Sequence, residues 1–254
     1  LDTERTAQEL GFSSAFNNSY DVVGDRDFIL ELLQIASQVM LHLSRFAEDF
    51  IYLSSTPVGW IELPDSLCTG SSMMPQKKNP DLLELTRGKT ASVLGHTSAI
   101  TSLLKGLPTS YHRDLQQDKE HLFSAVDTVE DTLEMIPLVV SHFKVNKERV
   151  EEALRQGFLM ATDLAEYLVT RDVPFREAHQ RVGKLVAYCL DQGLTLDQVP
   201  LEKLQKFAPE CGPEVSEVLR FESFQKRRWH KGSPGLVSIE EQIARWKKKI
   251  KDSR

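Results

Sequence analysis

The chain has 254 residues, of which 41% are hydrophobic and 27% are charged, and its formal net charge is −6. This composition is typical of a globular protein with a sizeable core. The acidic balance argues against general affinity for nucleic acid, and no apolar run reaches the roughly 20 residues that a membrane span needs.

The first long element is a predicted helix within residues 25–56, a stretch that contains neither glycine nor proline. Apolar residues recur there at intervals of three and four, from Phe28 to Phe50, as expected for a helix. Residues 57–80 cannot continue this helix, because six glycines and prolines interrupt them.

Two more long helices are predicted beyond this interruption. The second runs from about residue 80 to 105, with Asn79 as its N-cap and Pro80 at its first position. The third runs to about residue 140 and opens with Asp114 and Gln117, which are spaced like a capping box. Pro137 is expected to kink or end it. Three helices of this length favour an extended bundle.

From about residue 146 the predicted helices become shorter. Turn residues separate six segments with helical periodicity, at 147–156, 160–172, 175–192, 198–206, 213–231 and 238–251. The change in helix length predicts two domains: a central helical bundle at 1–153 and a small all-α C-terminal domain at 154–254. No alternating pattern predicts a strand, so the expected fold class is all-α.

Cysteine and histidine usage excludes several kinds of site. Three widely separated cysteines, Cys68, Cys189 and Cys211, indicate reduced thiols and a cytoplasmic protein rather than a disulfide framework. The seven histidines form no metal-binding motif, and no phosphate-binding glycine loop is present. Basic stretches at 226–231 and 245–249 are interpreted as solvated helix ends.

The segment GSSMMPQKKNP at residues 70–80 carries more chemistry than a connection needs. One interpretation is a linker whose lysines lie in solvent. The other is a reactive loop: Ser71 or Ser72 would lose its proton if backbone N–H groups and a lysine stabilise the oxyanion. Lys77 would then balance the charge that develops on a substrate carboxylate when the adjacent C–H is deprotonated.

This segment resembles the GSSxMPxKxN loop of the fumarase/aspartase superfamily, whose members eliminate fumarate from succinyl compounds. The QKKNPD form, followed by ELTRGK at 84–89, is similar to argininosuccinate lyases and their crystallin relatives. The resemblance is strong over residues 4–120 and also rests on Arg5-Thr6-Ala7, on DRDF at 25–28 and on DLQQDK at 114–119. It implies a long-helix bundle of the fumarase/aspartase type followed by a smaller helical domain.

The resemblance also implies a role for individual residues. Ser71 would be the general base, Lys77 and Asn79 would hold and neutralise the substrate carboxylate, and Glu84 would orient a catalytic histidine. Three more residues would contact the rest of the substrate: Tyr111, Gln116 and Lys119. Asp25 and Arg26 would brace the site. No metal or organic cofactor is implied.

Relatives in this family have a further N-terminal region that supplies the catalytic histidine, and none of the seven histidines here matches it. The resemblance therefore implies a C-terminal portion, inactive by itself, of a lyase that converts argininosuccinate to arginine and fumarate. It also implies a homotetramer whose active sites are each shared by three subunits. Two alternatives are a non-catalytic, crystallin-like structural protein and a sibling lyase acting on another succinyl compound.

Overall fold

The computed structural model describes residues 1–252. The chain divides into two compact units, Leu1–Asn146 and Lys147–Arg254. The all-α prediction is confirmed: within residues 1–252 the regular structure is helical apart from four two-residue strands. The domain boundary between residues 153 and 154 stays a prediction, and the two compact units divide between residues 146 and 147. No described helix combines the length and apolar content that crossing a lipid bilayer requires.

The N-terminal unit, Leu1–Asn146, is built on three long helices. Its α-helices are α1 (Thr3–Glu9), α2 (Ser19–Val22), α3 (Asp27–Ser54), α4 (Asp81–Leu104) and α5 (Asp118–His142). Short 3₁₀ helices lie at Asp65–Leu67 and Arg113–Gln117. Its strands are β1 (Ile61–Glu62), β2 (Thr69–Gly70), β3 (Lys78–Asn79) and β4 (Lys144–Val145), and β1 pairs with β4 and β2 with β3, both antiparallel.

Helix α4 runs antiparallel to α3, as the polar contacts between them show. Thr97 donates to the Leu33 carbonyl at 3.1 Å, whereas Thr90 donates to the Met40 carbonyl at 3.2 Å. Residue numbers therefore rise along one helix and fall along the other. The hydroxyls are satisfied inside the bundle, so burying them costs little.

Helix α5 runs antiparallel to α4, because Lys89 pairs with Asp131 near one end and His96 contacts His121 nearer the other. Apolar side chains form a separate cluster towards each end of the bundle, drawn from the three helices and, at one end, also from the segment around β1. One cluster contains Ile29, Leu33, Ala36, Met40, Val93, Ile100 and Ala125. The other contains Ala47, Ile61, Leu63, Leu83, Ile136 and Val139. Burial of these side chains stabilises the packing of the three helices against one another.

Two local predictions about helix starts are wrong. Helix α4 begins at Asp81, and Pro80 is its N-cap without a side-chain hydrogen bond. Asn79 does not cap this helix because its backbone pairs with Thr69 in the β2–β3 ladder. Likewise Asp114 lies in a 3₁₀ helix rather than in a capping box, and α5 then continues through Pro137.

His96 and His121 connect α4 and α5 through their Nδ1 atoms, which lie 3.1 Å apart. At this distance one nitrogen donates and the other accepts, so the contact requires at least one neutral imidazole. Burial lowers the pKa of His96 below its ordinary value, and charge on His121 lowers it further, whereas Glu120 opposes the shift.

The free energy of unfolding is expected to fall as the pH drops below about 6.5, because folded His96 then binds fewer protons than the unfolded side chain. His96→Gln is expected to reduce this slope in urea denaturation measured on both sides of that pH. His42→Gln, on the exposed side of α3, is the matched control and should keep the slope. An unchanged slope in His96→Gln would contradict the assignment.

The C-terminal unit, Lys147–Arg254, consists of short helices around its own core. Its described elements are α6 (Lys147–Gln156), α7 (Ala161–Val169), α8 (Phe175–Gln192), a 3₁₀ helix (Leu196–Gln198), α9 (Leu201–Phe207), α10 (Val215–Val218), α11 (Phe221–Arg227) and α12 (Leu236–Asp252). The prediction of a single helix at 213–231 is wrong. The backbone becomes extended at Arg220, so α10 and α11 are separate helices. Leu164, Leu168 and Leu185 are almost fully buried at the centre of the core.

Candidate active site

The loop at residues 70–80 is held at its base by two short strands. Strands β2 and β3 pair Thr69 with Asn79 and Gly70 with Lys78. The chain between them leaves and returns at one place, beside the start of α4. A Cβ atom added to Gly70 would meet no atom within 4 Å, so this glycine is not required by packing within the N-terminal unit. The open space leaves room for a ligand close to the backbone.

The side-chain oxygen of Ser71 accepts two hydrogen bonds from the backbone of the loop. Its Oγ accepts backbone N–H groups from Met73 and Met74, each at 3.2 Å. Two N–H dipoles directed at one oxygen stabilise negative charge on it, as an oxyanion hole does. Ser71 is half-buried and Ser72 is exposed. The geometry therefore favours Ser71 over Ser72 as the group able to become an alkoxide.

A cavity of about 500 Å³ lies beside this loop, between the end of α3 and the start of α4. The side chains that line it include Glu62, Lys77, Lys78 and Glu84. The structure thus brings Lys77 and Glu84 to one cavity, and Met74, whose N–H contacts Ser71, lines it as well. Its volume is in the range usual for small-molecule sites.

The two neighbouring lysines of the loop differ in their electrostatic environment. Lys78 Nζ lies 2.5 Å from Asp65 Oδ1 and 3.4 Å from Glu62 Oε1, and the hydrogen bond that Lys78 donates to Asp65 raises the pKa of Lys78. Within residues 1–252, Lys77 forms no such ion pair. The charge of Lys78 is therefore balanced by protein, whereas that of Lys77 is available to a bound anion.

Asn79 lies at the end of the loop, in β3, and Glu84 lies just beyond it, in α4. Glu84 is in the first turn of α4 and is exposed at the cavity. A carboxylate there also interacts favourably with the positive end of the helix dipole, so helix stability alone would justify it. Asn79 is half-buried within β3, with its backbone occupied by the strand pair.

The other three predicted site residues lie around the start of α5, and all three are exposed. Tyr111 precedes the 3₁₀ helix Arg113–Gln117, Gln116 is within it, and Lys119 is in the first turn of α5. Lys119 Nζ lies 3.0 Å from Asp118 Oδ1. The structure does not bring these residues to the cavity that Lys77 and Glu84 line.

Asp118 is a residue that sequence reasoning did not single out. Its side chain is 5% exposed, and its two oxygens contact Lys119 and, at 2.6 Å, Arg26 Nε. Burial raises the pKa of Asp118, but hydrogen bonds from Arg26 and Lys119 outweigh burial and lower it overall. Arg26 thus braces this end of the bundle. The sequence signal, an acid at the start of a helix, equally fits a surface dipole partner.

The two groups of predicted site residues lie at opposite ends of the bundle. Helix α4 begins beside the loop and ends just before the Tyr111 segment, and its 24 residues rise about 36 Å at 1.5 Å per residue. A small dicarboxylate cannot reach both groups of one chain. Among the described residues 1–252, no cluster of three or more His, Cys, Asp and Glu side chains is suited to a metal ion.

Comparison with known proteins gives two family matches. The family described as Lyase matches residues 2–95, and the family described as Argininosuccinate lyase C-terminal matches residues 158–226. An argininosuccinate lyase of Pelotomaculum thermopropionicum is 45% identical over 252 residues, which are 99% of this chain and 55% of that protein. The chain is thus similar to argininosuccinate lyases over nearly its whole length.

Another argininosuccinate lyase, of Caldicellulosiruptor bescii, is 46% identical over 96% of the chain and 53% of its own length. The chain therefore spans about half the length of the argininosuccinate lyases that it matches. Among solved structures, a variant of EDDS lyase with bound fumarate superposes with a TM-score of 0.81 at 25% identity, over 98% of this chain and 51% of that one. The fold of the family is thus found in both compact units.

Proposed function

We propose that the protein to which this chain contributes is a carbon–nitrogen lyase that cleaves argininosuccinate into arginine and fumarate. The observation that carries the proposal is the 45% identity to a curated argininosuccinate lyase across 99% of the chain, which includes the loop at residues 70–80. The donors around Ser71 and the free charge of Lys77 support it.

In the proposed reaction Ser71, as an alkoxide, removes the proton from the carbon next to a succinyl carboxylate. The electron pair collects on that carboxylate, where Lys77 and Asn79 offset the charge. The pair then forms the C=C bond of fumarate as the C–N bond breaks, and an acid protonates the leaving nitrogen of arginine. Glu84 would orient the histidine that acts as this acid, which comes from outside this chain.

We further propose that the protein is a cytoplasmic homotetramer with active sites shared between subunits. The two residue groups lie at opposite ends of α4, which is about 36 Å long, and this supports sharing because each group would complete a site with residues of other copies. Exposed apolar side chains along the long helices support assembly: Phe28, Leu32 and Ile35 on α3 and Phe123, Leu133 and Leu138 on α5. Cys68, Cys189 and Cys211 are free thiols, as in a reducing compartment.

The experiment joins this chain to the portion of the P. thermopropionicum relative that it does not span, and follows fumarate by ultraviolet absorbance. Argininosuccinate is expected to give the larger kcat/KM when compared with EDDS. The reverse order would indicate a sibling lyase for another succinyl compound. A folded, tetrameric product that releases no fumarate from either compound would indicate a structural protein.

A further inference from the structure

Helix α12 (Leu236–Asp252) carries an apolar stripe that is exposed along its whole length. Its members recur at alternating spacings of three and four residues, and each residue is between 39% and 57% exposed. They are Leu236, Ile239, Ile243, Trp246 and Ile250. This spacing corresponds to positions a and d of a coiled-coil heptad. Four of the five line an open groove of about 370 Å³ together with Gln242 and Lys247.

The attachment of α12 to the C-terminal unit leaves this stripe free. Ser238 is buried, and its Oγ accepts the Gly232 N–H at 3.0 Å. At 100° per residue, Ser238 lies roughly 120° around the helix from the centre of the stripe. Gly235 fixes the turn before the helix, because a Cβ there would lie 1.7 Å from the Arg228 carbonyl oxygen. The helix is therefore held by a different face.

The charges of α12 are divided between its two halves. The first half carries Glu240 and Glu241. The second half carries five basic residues, Arg245, Lys247, Lys248, Lys249 and Lys251, and ends on the acidic Asp252. This order suits the helix dipole, which accounts for the charges but not for the apolar stripe. It also decides how two such helices can pair. A parallel pair would place one basic half on the other, whereas an antiparallel pair places acidic on basic.

We propose that α12 pairs antiparallel with α12 of a second copy of this chain. In the register that aligns the stripes, Ile243 packs beside the partner's Trp246 and Ile239 beside the partner's Ile250. Glu240 then faces the partner's Lys247, and the two-fold axis repeats this contact on the other side. The apolar seam and the flanking charges thus select the same orientation.

This contact is separate from the proposed sharing of active sites, which depends on the long helices of the N-terminal unit. The seam spans only about two and a half heptads, so the association is expected to depend on protein concentration. It would be a second association step that can be removed without touching Ser71, Lys77 or Lys119.

Sedimentation velocity of the chain over a range of concentrations tests the proposal. Ile243→Glu is expected to abolish one association step. Glu240→Lys and Lys247→Glu are each expected to shift its midpoint to at least about tenfold higher concentration, because each places like charges across the pair. The double variant Glu240→Lys/Lys247→Glu restores opposite charges and is expected to return the midpoint. Leu190→Glu, at a 66% exposed position on α8, is the matched control and should have no effect.

Circular dichroism of each variant checks that the chain is folded. If Ile243→Glu does not fold, the charge variants still decide, since they alter exposed positions only. Association that is unchanged in Ile243→Glu, or a double variant weaker than both single variants, would overturn the proposal. The first result would assign the stripe to another occupant, and the second would exclude the antiparallel register.

Discussion

Ser71→Ala is expected to lower kcat of the lyase reaction by about 10²–10⁴-fold, the usual contribution of a general base. The variant removes the oxygen that receives the Met73 and Met74 N–H groups, so the loop loses the alkoxide that these two donors would stabilise. KM should change less, because Lys77 and the cavity remain. The measurement is fumarate formation by the chain joined to the missing portion of its P. thermopropionicum relative.

Ser72→Ala is the matched control for this prediction. Ser72 is adjacent and identical in chemistry, but it is exposed and its oxygen lacks the two backbone donors. Its replacement should leave kcat within a few-fold of the starting enzyme. A Ser71→Ala enzyme that keeps full activity, or a Ser72→Ala enzyme that loses it, would contradict the role of Ser71 while leaving the family assignment intact.

Two inactive variants are expected to restore activity to each other when they are co-expressed. Lys77→Ala removes a lysine from the residue group at the loop. Lys119→Ala removes a lysine from the residue group at the start of α5. If each site combines these groups from different copies, random mixing leaves roughly a quarter of sites with both lysines. Fumarate formation by the purified mixed oligomer, isolated through a different tag on each chain, measures the recovery.

Ser71→Ala co-expressed with Lys77→Ala serves as the control for this complementation. Both changes lie in the same loop, so every site receives a loop with one defect, and no recovery is expected. Recovery in this control would indicate that Ser71 and Lys77 serve different sites. Absence of recovery in the Lys77 and Lys119 mixture, with both chains present in the oligomer, would mean that no site combines these two groups from different copies.

Much of the fold follows from local sequence patterns. Apolar residues at helical spacing and the absence of glycine and proline at 25–56 correctly predict α3, Asp27–Ser54. Helix starts were harder to predict, as Asn79 shows. Its side chain is a good N-cap, but a strand pair with Thr69, ten residues earlier, occupies its backbone instead. Such pairing depends on a tertiary contact that no local propensity contains.

For the candidate site, too, some features follow from the sequence and others depend on the tertiary structure. The sequence by itself determined an all-α chain that resembles argininosuccinate lyases and the residue types of its loop, because periodicity and motif are local properties. Only the tertiary structure decided that Asp65 and Glu62 neutralise Lys78 and leave Lys77 free. It also decided that the loop and the Lys119 segment lie at opposite ends of α4. Charge balance and distance depend on which distant residues folding brings together, and an antiparallel bundle separates what the sequence places some forty residues apart.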